Sequence, residues 1–443
     1  MEQPLASSWA PGLAWGKGAS GPKGDAWEAV EIPGAGLGVR ALRALEAGEV
    51  LLSVPLASCW PVASKARERL VAAGAEVEED ELSEEALVGL WLCEELRRGA
   101  DSPFAGQLAA LPSELDTILQ WTEEEVLELR GSCFQPVAVG LREELETEWA
   151  MISTSASWRA WLEERPALDF DRFRWAKAAV LSRQLELEAE GLPEGAKVVV
   201  PGFDLLNHDA SGEPNCEFEV EDEGEHGSSP SVVVRCSRAV GAGEEVRISY
   251  GPLPNASLLI SHGFVAQDNP FDCVELVMTF AVPPERRPWL RGLEAAAEDL
   301  VAGCVAAFEV VVDGGDDADA AFEFSMRHNL TRAVPLPPTL LGSVRLQALP
   351  AGELPAPSTP SGSEGLCAPP GALQASSDGL ATERLVKILR ALLAGHPAPA
   401  SVDVELLRPA ASGPALPARQ RMAATVRLAE KEILAAALAA LGA

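Results

Sequence analysis

Pro201-Gly202-Phe203-Asp204-Leu205-Leu206-Asn207-His208-Asp209 and Gly243-Glu244-Glu245-Val246-Arg247-Ile248-Ser249-Tyr250-Gly251 are the two stretches on which the reading of this chain turns. The first follows the β-branched run Val198-Val199-Val200 and sets an Asn-His pair at a strand end. The second is strand text that ends in Tyr-Gly and leads into Asn255-Ala256-Ser257-Leu258-Leu259 and His262-Gly263-Phe264. Singly, each is ambiguous, since Asn207-His208 can be a hydrogen-bonded turn. No Ser or Cys motif gives His208 a nucleophile to activate, and no second His at helical spacing gives it a metal. Tyr250 is the only tyrosine among 443 residues, against 12 Phe. A core filler in so Tyr-poor a chain would be Phe, so a lone hydroxyl points to use.

Outward from these stretches the hydrophobic period changes twice. From Trp27 to Pro55 the short runs AVEI, LGVRAL and VLLSVP, separated by PGAG and AGE, predict a small sheet. From about Ala63 to Leu187, VGLWLCEELRRG and WAKAAVLSRQLELE place apolar residues three and four apart, which predicts a helical block. Thr122-Glu123-Glu124-Glu125 reads as a capping box inside it. Strand text returns in VVVPGF, CEFEVE, SVVVRCS, EVRISYG and VELVMTFAV, with the acidic loop Glu219–Pro230 as a solvated hairpin tip. Beyond Pro283 the reading is helical, interrupted by a Pro/Gly/Ser-rich loop at Leu349–Ser377. It ends on a helix whose packing stripe is Met422, Val426, Ile433, Ala437 and Leu441.

Composition excludes several classes. The chain carries 35 Lys and Arg against 67 Asp and Glu, a net charge of −32. Such a surface repels a phosphate backbone, so nucleic acid is excluded and a basic protein partner favoured. No apolar run reaches the roughly 20 residues of a membrane span. The 8 cysteines form no CxxC pair and have no His at ligand spacing, so no metal site is expected. The N-terminal text lacks a charged and apolar secretory pattern, which favours a reducing compartment, cytoplasmic or nuclear, with plastid import as the alternative.

Gly36-Leu37-Gly38-Val39-Arg40-Ala41 formally matches a dinucleotide fingerprint. A Rossmann unit needs a helix after the glycines and an acidic residue about 20 positions on, whereas here another strand follows, with no Asp or Glu between Glu49 and Glu68. Two readings stay open: a glycine-rich hairpin turn, or bare backbone at Gly36 and Gly38 that lets a ligand approach the main chain.

Taken together, the Asn207-His208 and Tyr250-Gly251 segments resemble the SET-domain protein methyltransferases. The chain is most similar to the subgroup of the Rubisco large-subunit lysine methyltransferase and the actin-histidine methyltransferase, in which a helical insert splits the SET domain and a helical substrate-binding domain follows. Gly36–Ala41 with Ala47-Gly48-Glu49 resembles the domain opening, SPFAGQLAALP and TILQWTEEEVLELRGS the insert, and Trp175-Ala176 with Ser182-Arg183 the helix re-entering the core. Arg427, Glu430-Lys431 and Ile433-Leu434 resemble the last helix of the substrate-binding domain. Where the lysine-specific plastid enzyme has a tyrosine before Gly-Phe this chain has His262, and Leu187 stands where that enzyme has a basic residue.

The resemblance implies an α+β chain: an extension at 1–24, a β-rich SET domain at 25–285 with its insert at about 63–187, and a mostly helical substrate-binding domain at 286–443. It implies S-adenosyl-L-methionine as cofactor, held by Gly36, Leu37, Gly38, Arg183, Asn207 and His208, with Tyr250 catalytic and Asp204 and His262 toward the substrate. The implied activity is N-methylation of a protein side chain, lysine first, on a monomeric enzyme acting on a basic or lysine-containing segment. The alternatives are histidine methylation and a non-catalytic, SET-like protein-binding module.

Overall fold

The structure, a computed structural model, describes residues 26–78, 81–221, 230–282, 322–349, 367, 370, 378–408 and 416–443. The extension at 1–24, residues 222–229 of the acidic loop, the start of the C-terminal domain at 286 and nearly all of the loop at 349–377 lie outside the described residues. Two compact units divide the chain. One comprises Met1–Trp121, Ala138–Gly251 and Ser257–Ala266; the other comprises Thr122–Val137, Pro252–Ala256 and Gln267–Ala443.

In chain order, β1 (Trp27–Ile32), β2 (Gly36–Ala41) and β3 (Val50–Pro55) lead into α1 (Ala63–Ala72), α2 (Glu84–Arg98), α3 (Ala105–Leu108), α4 (Glu123–Leu127), α5 (Gln135–Thr154), α6 (Ala156–Glu163) and α7 (Phe170–Leu181). Strands follow: β4 (Gln184–Leu187), β5 (Ala196–Val199), β6 (Asn207–His208), β7 (Cys216–Glu221), β8 (Ser231–Cys236) and β9 (Glu245–Ile248). The glycines between β1 and β2 make a hairpin turn, with Ile32 opposite Gly36 and Gly34 and Gly36 at φ of +81° and +76°, where a side chain is strained. The capping box at Thr122 forms as expected, its hydroxyl accepting from Glu125 N and the Glu125 carboxylate from Thr122 N.

The helical reading fails at its end. Gln184-Leu185-Glu186-Leu187 is not a continuation of α7 but a strand, paired antiparallel with β5 over Gln184↔Val199 to Leu187↔Ala196. The segment alternates polar and apolar, the period of a strand. Leu185 and Leu187 both pack into the β core while Glu186 is exposed.

Among the described residues the first unit has two cores. One lies among the insert helices around Trp60, Trp91, Trp158, Trp161 and Phe173. The other lies between the sheets β1-β2-β9-β6 and β3-β8-β7 around Val39, Val54, Val234, Val246 and Ile248. The α+β class expected from the sequence is the class observed.

The second unit contains β10 (Cys273–Val282), β11 (Phe322–Thr331), α9 (Pro338–Ala348), α10 (Asp378–Gly395), α11 (Ala400–Leu407) and α12 (Ala418–Ala440). Here the expectation that strands stop at Pro283 is wrong: β11 pairs with β10 over ten residues, from Cys273↔Thr331 to Val282↔Phe322. Met326, His328 and Leu330 are buried at alternate positions, a period of two that helical reading missed.

Of the predicted stripe on α12, Val426, Ile433 and Ala437 are buried and Met422 and Leu441 half-buried. The same helix buries charges. Asp403 on α11 is 1% exposed and takes Arg427 at 2.6 Å together with Lys431. Glu430 accepts from Ser132 Oγ at 2.7 Å and Cys133 Sγ at 3.0 Å, with His396 Nε2 at 3.8 Å from its other oxygen. Burial raises the Glu430 carboxyl from 4.5 to about 7 against the opposing pull of those two hydrogen bonds. Burial, with Lys431 adding to it, drops His396 to about 4, so this pair is neutral rather than an ion pair near pH 6.

A carboxyl whose folded pKa lies above its ordinary value gives its full contribution below about pH 4.5 and loses it as the pH rises through about 7. Glu430→Gln keeps an acceptor for Ser132 without the charge. Its melting temperature relative to the parent should therefore rise between pH 5 and pH 8. A difference that is flat across that range in parallel thermal melts would show that Glu430 does not titrate there.

Candidate active site

The four-stranded sheet β1-β2-β9-β6 gathers residues that lie far apart in the sequence. β9 pairs antiparallel with β2 only at Val39↔Val246 and Arg40↔Glu245, and parallel with β6 at Asn207↔Arg247 and His208↔Ile248. On its β9 side the backbone of Gly36-Leu37-Gly38 thus has no strand partner among the described residues. Gly36 and Leu37 are exposed and Gly38 is buried. A Cβ on Gly36 would meet nothing within 4 Å, whereas one on Gly38 would lie 2.6 Å from Asn207 Nδ2 and from Ile32 Cγ1. Gly36 leaves room for a ligand, and Gly38 lets the Asn207 side chain lie against the strand. Asn207 Nδ2 donates to Glu245 Oε1 at 2.8 Å. Its Oδ1 has no protein partner among the described residues.

Tyr250 follows β9 and is fixed at both ends. Its backbone N–H donates to His208 Nδ1 at 3.1 Å, and its hydroxyl donates to Leu206 O at 2.7 Å. The first bond makes Nδ1 of His208 the acceptor and puts the ring proton of neutral His208 on Nε2. Burial pushes the Tyr250 phenol well up and the His208 imidazole down, so both are uncharged at neutral pH. The Tyr250 ring lies 5.2 Å from His208, 4.5 Å from His262 and 6.4 Å from Phe264 between centroids.

His262 arrives from the far end of α8 (Asn255–His262). Its Nδ1 lies 3.1 Å from Ser182 O, the residue that caps α7. A carbonyl only accepts, so Nδ1 carries the proton and Nε2 the lone pair. Burial, against the opposing pull of the Ser182 hydrogen bond and with the Arg183 guanidinium adding to it, lowers His262 to about 4. Gly263, at φ +76°, holds this corner: a Cβ there would lie 2.5 Å from the backbone of Asp116 and Thr117, so only glycine admits the approach.

Arg183, next after Ser182, has its Nε 3.6 Å from Asp204 Oδ2, and its Nη1 donates to Ser182 Oγ at 2.6 Å. Burial lowers the guanidinium and raises the Asp204 carboxyl, each effect countered by the other charge. Asp204 also accepts from Gly202 N at 2.9 Å.

The fold therefore brings Tyr250, Asn207, His208, His262, Arg183 and Asp204 into one neighbourhood, with Gly36–Gly38 joined to it through Asn207. Sequence reading missed the partners that orient them: Glu245, the carbonyls of Leu206 and Ser182, and the imidazole of His208 as acceptor for Tyr250 N. Backbone carbonyls carry no sequence signal. Glu245 could have been found as the β9 residue that register sets opposite Arg40. Among the described residues no group of three or more His, Cys, Asp or Glu is placed to hold a metal ion, and no described helix is long and apolar enough to cross a membrane.

Residues 36–251 match the family model of the SET domain, and residues 305–434 match that of the Rubisco LSMT substrate-binding domain. The actin-histidine N-methyltransferase of Xenopus tropicalis is 26% identical over 273 residues, 58% of this chain and 43% of that protein. The Danio rerio protein of the same name is 26% identical over 264 residues, 57% of this chain and 41% of that one. The chain thus spans about two fifths of the length of these relatives. Among solved structures, the SET domain of LSMT bound to lysine and AdoHcy superposes with a TM-score of 0.67 at 23% identity, over 96% of this chain and 88% of that one. Rubisco LSMT bound to AdoMet gives 0.64 at 23% identity, over 94% and 87%. These superpositions establish a shared fold.

The two glycines should respond differently to alanine. Gly38→Ala must displace both Asn207 and Ile32 and should destabilise by about 1–3 kcal/mol, the usual cost of overpacking. Gly36→Ala meets no neighbour and should lose only about 1–2 kcal/mol to its left-handed backbone. Chemical denaturation combined with the Asn207→Ala double mutant checks this, since Asn207→Ala should recover part of the loss at Gly38 and none at Gly36.

Proposed function

Since the chain belongs to the SET-domain proteins that carry a Rubisco LSMT substrate-binding domain, we propose that it is an S-adenosylmethionine-dependent protein N-methyltransferase with lysine as its acceptor. The observation that carries the reading is Tyr250, an uncharged phenol tied to Leu206 and His208 beside an open glycine edge. When bound, S-adenosylmethionine supplies a methyl group on a cationic sulfur; transfer makes one N–C bond, breaks one S–C bond, leaves the electron pair on sulfur and releases one proton to water.

The residues present suit such a zwitterion. Arg183 offers a guanidinium for a carboxylate, Asn207 Oδ1 an acceptor for an ammonium, and Gly36-Leu37-Gly38 an unpaired strand edge for the remaining polar groups. Asp204, 3.6 Å from Arg183 Nε, offsets part of its charge. Tyr250 directs its lone pairs toward the site because its proton is committed to Leu206 O, so it can orient an incoming nitrogen and the polarised methyl hydrogens. The neutrality of His208 and His262 suits a site that must take a cationic donor and a neutral amine. A net charge of −32 supports a protein substrate whose acceptor lies in a basic segment. The histidine-methylating alternative rests on what the relatives are named for.

Tyr250→Phe removes one hydroxyl and keeps the ring. It should lower kcat about 10²-fold or more, roughly 2.7 kcal/mol, with the dissociation constant of S-adenosylmethionine nearly unchanged. Calorimetry and single-turnover rates on the folded variant decide it, and an unaltered rate would reduce Tyr250 to a packing residue.

A further inference from the structure

His262 and Tyr250 share a property that neither shows alone: each has given its only polar proton to a backbone carbonyl. The Tyr250 hydroxyl donates to Leu206 O at 2.7 Å, and His262 Nδ1 donates to Ser182 O at 3.1 Å. What remains on each side chain, the phenolic lone pairs and Nε2, can only accept. No protein donor reaches His262 Nε2 among the described residues, and the two rings lie 4.5 Å apart between centroids. The acceptor-only state of the histidine holds at neutral pH because burial, with Arg183 nearby, keeps its pKa near 4 against the pull of the Ser182 bond. Two acceptors on adjacent rings, with no hydrogen bond between them among the described residues, suit a group with two N–H bonds.

A neutral primary amine meets that demand. It places its two N–H bonds on two acceptors and leaves its lone pair pointing away from both, free to attack. A neutral imidazole brings one N–H, and one acceptor then goes unmatched at the cost of an unsatisfied polar group. Resting on the methyltransferase reading above, we propose that His262 is the positioning residue for the acceptor amine, its Nε2 and the Tyr250 hydroxyl each taking one N–H of a neutral lysine side chain and so favouring lysine over histidine and one methyl group over two. Each transfer exchanges one N–H for N–CH3, the proton leaving to water. Monomethyl-lysine therefore returns to the site one hydrogen bond short, and the second transfer falls behind the first by roughly tenfold or more.

Two measurements test this. Long-range proton–nitrogen NMR on histidine-labelled protein reads the tautomer directly; the chain has 5 His, and His262→Phe identifies the signal by its loss. The expected signal is a neutral imidazole protonated on Nδ1 from pH 5.5 to 8, and a proton on Nε2 overturns the proposal without any turnover being needed. The second measurement incubates the full chain with S-adenosylmethionine and arrayed lysine-centred and histidine-centred peptides, with mass spectrometry of products. The parent should place one methyl on lysine peptides. His262→Phe, which keeps a ring and loses the acceptor, should slow the first transfer tenfold or more while raising the dimethyl-to-monomethyl ratio at least tenfold, with the cofactor dissociation constant unchanged. His262→Gln, which restores an acceptor oxygen, should move both values back toward the parent. A parent that methylates lysine once and an unchanged ratio in His262→Phe overturn this inference alone; a parent that binds no S-adenosylmethionine and modifies neither peptide class overturns the methyltransferase reading and the proposal with it.

Discussion

Two hydrogen bonds from a single residue hold the candidate site together. Tyr250 reaches back 42 residues with its backbone N–H to His208 and 44 residues with its hydroxyl to Leu206. Between them they set the His208 tautomer, the direction of the phenolic lone pairs and the place where β9 ends. The parallel pairing of β6 with β9 covers only Asn207↔Arg247 and His208↔Ile248, so these side-chain bonds supply much of what keeps the two segments in register. In a half-buried setting, leaving any one of these groups unpaired is expensive. That constraint explains why Asn-His and a lone tyrosine stand where they do.

Much of the fold was legible in the sequence, and the misses have a common cause. Trp27–Pro55 and the strands from Ala196 to Ile248 were read correctly because alternation and turn residues are local signals. So was the capping box at Thr122. Gln184–Leu187 was read as helix because Leu181 and Leu185 stand four apart, a helical spacing that outweighed the strand spacing of two between Leu185 and Leu187, and pairing with β5 decides between them. Phe322–Thr331 was missed for the same reason: its partner lies some fifty residues back, and five residues of alternation, Met326 to Leu330, are a weak signal until a second strand lies alongside.

The site residues were legible by type and not by state. Tyr250, Asn207, His208, Arg183, Asp204 and His262 could be named from the text, yet what each is doing depends on carbonyls of Leu206 and Ser182 that any residue could have supplied. Buried charge was the other blind spot. Nothing in the text of the last helix marks Arg427 and Lys431 as buried, yet Asp403, 1% exposed, draws both inward. A lone buried carboxylate would be untenable, and two cations on the neighbouring helix make it a fixed point of the second unit.

The pairing of β2 with β9 brings Val39 against Val246 and Arg40 against Glu245, closing a loop of about two hundred residues. For a flexible chain the entropy of such a closure is steep enough to slow folding well before any contact rewards it, and long-range sheets are the slowest elements to assemble. The helices between β3 and β4 have their own core around Trp60, Trp91, Trp158 and Phe173, so they can collapse first and shorten the effective distance between the sheet's two halves. On that order of events the glycine edge, Asn207 and Tyr250 meet last, and the candidate site becomes the final checkpoint of folding: a nascent chain acquires it only once nearly everything else in that unit is in place.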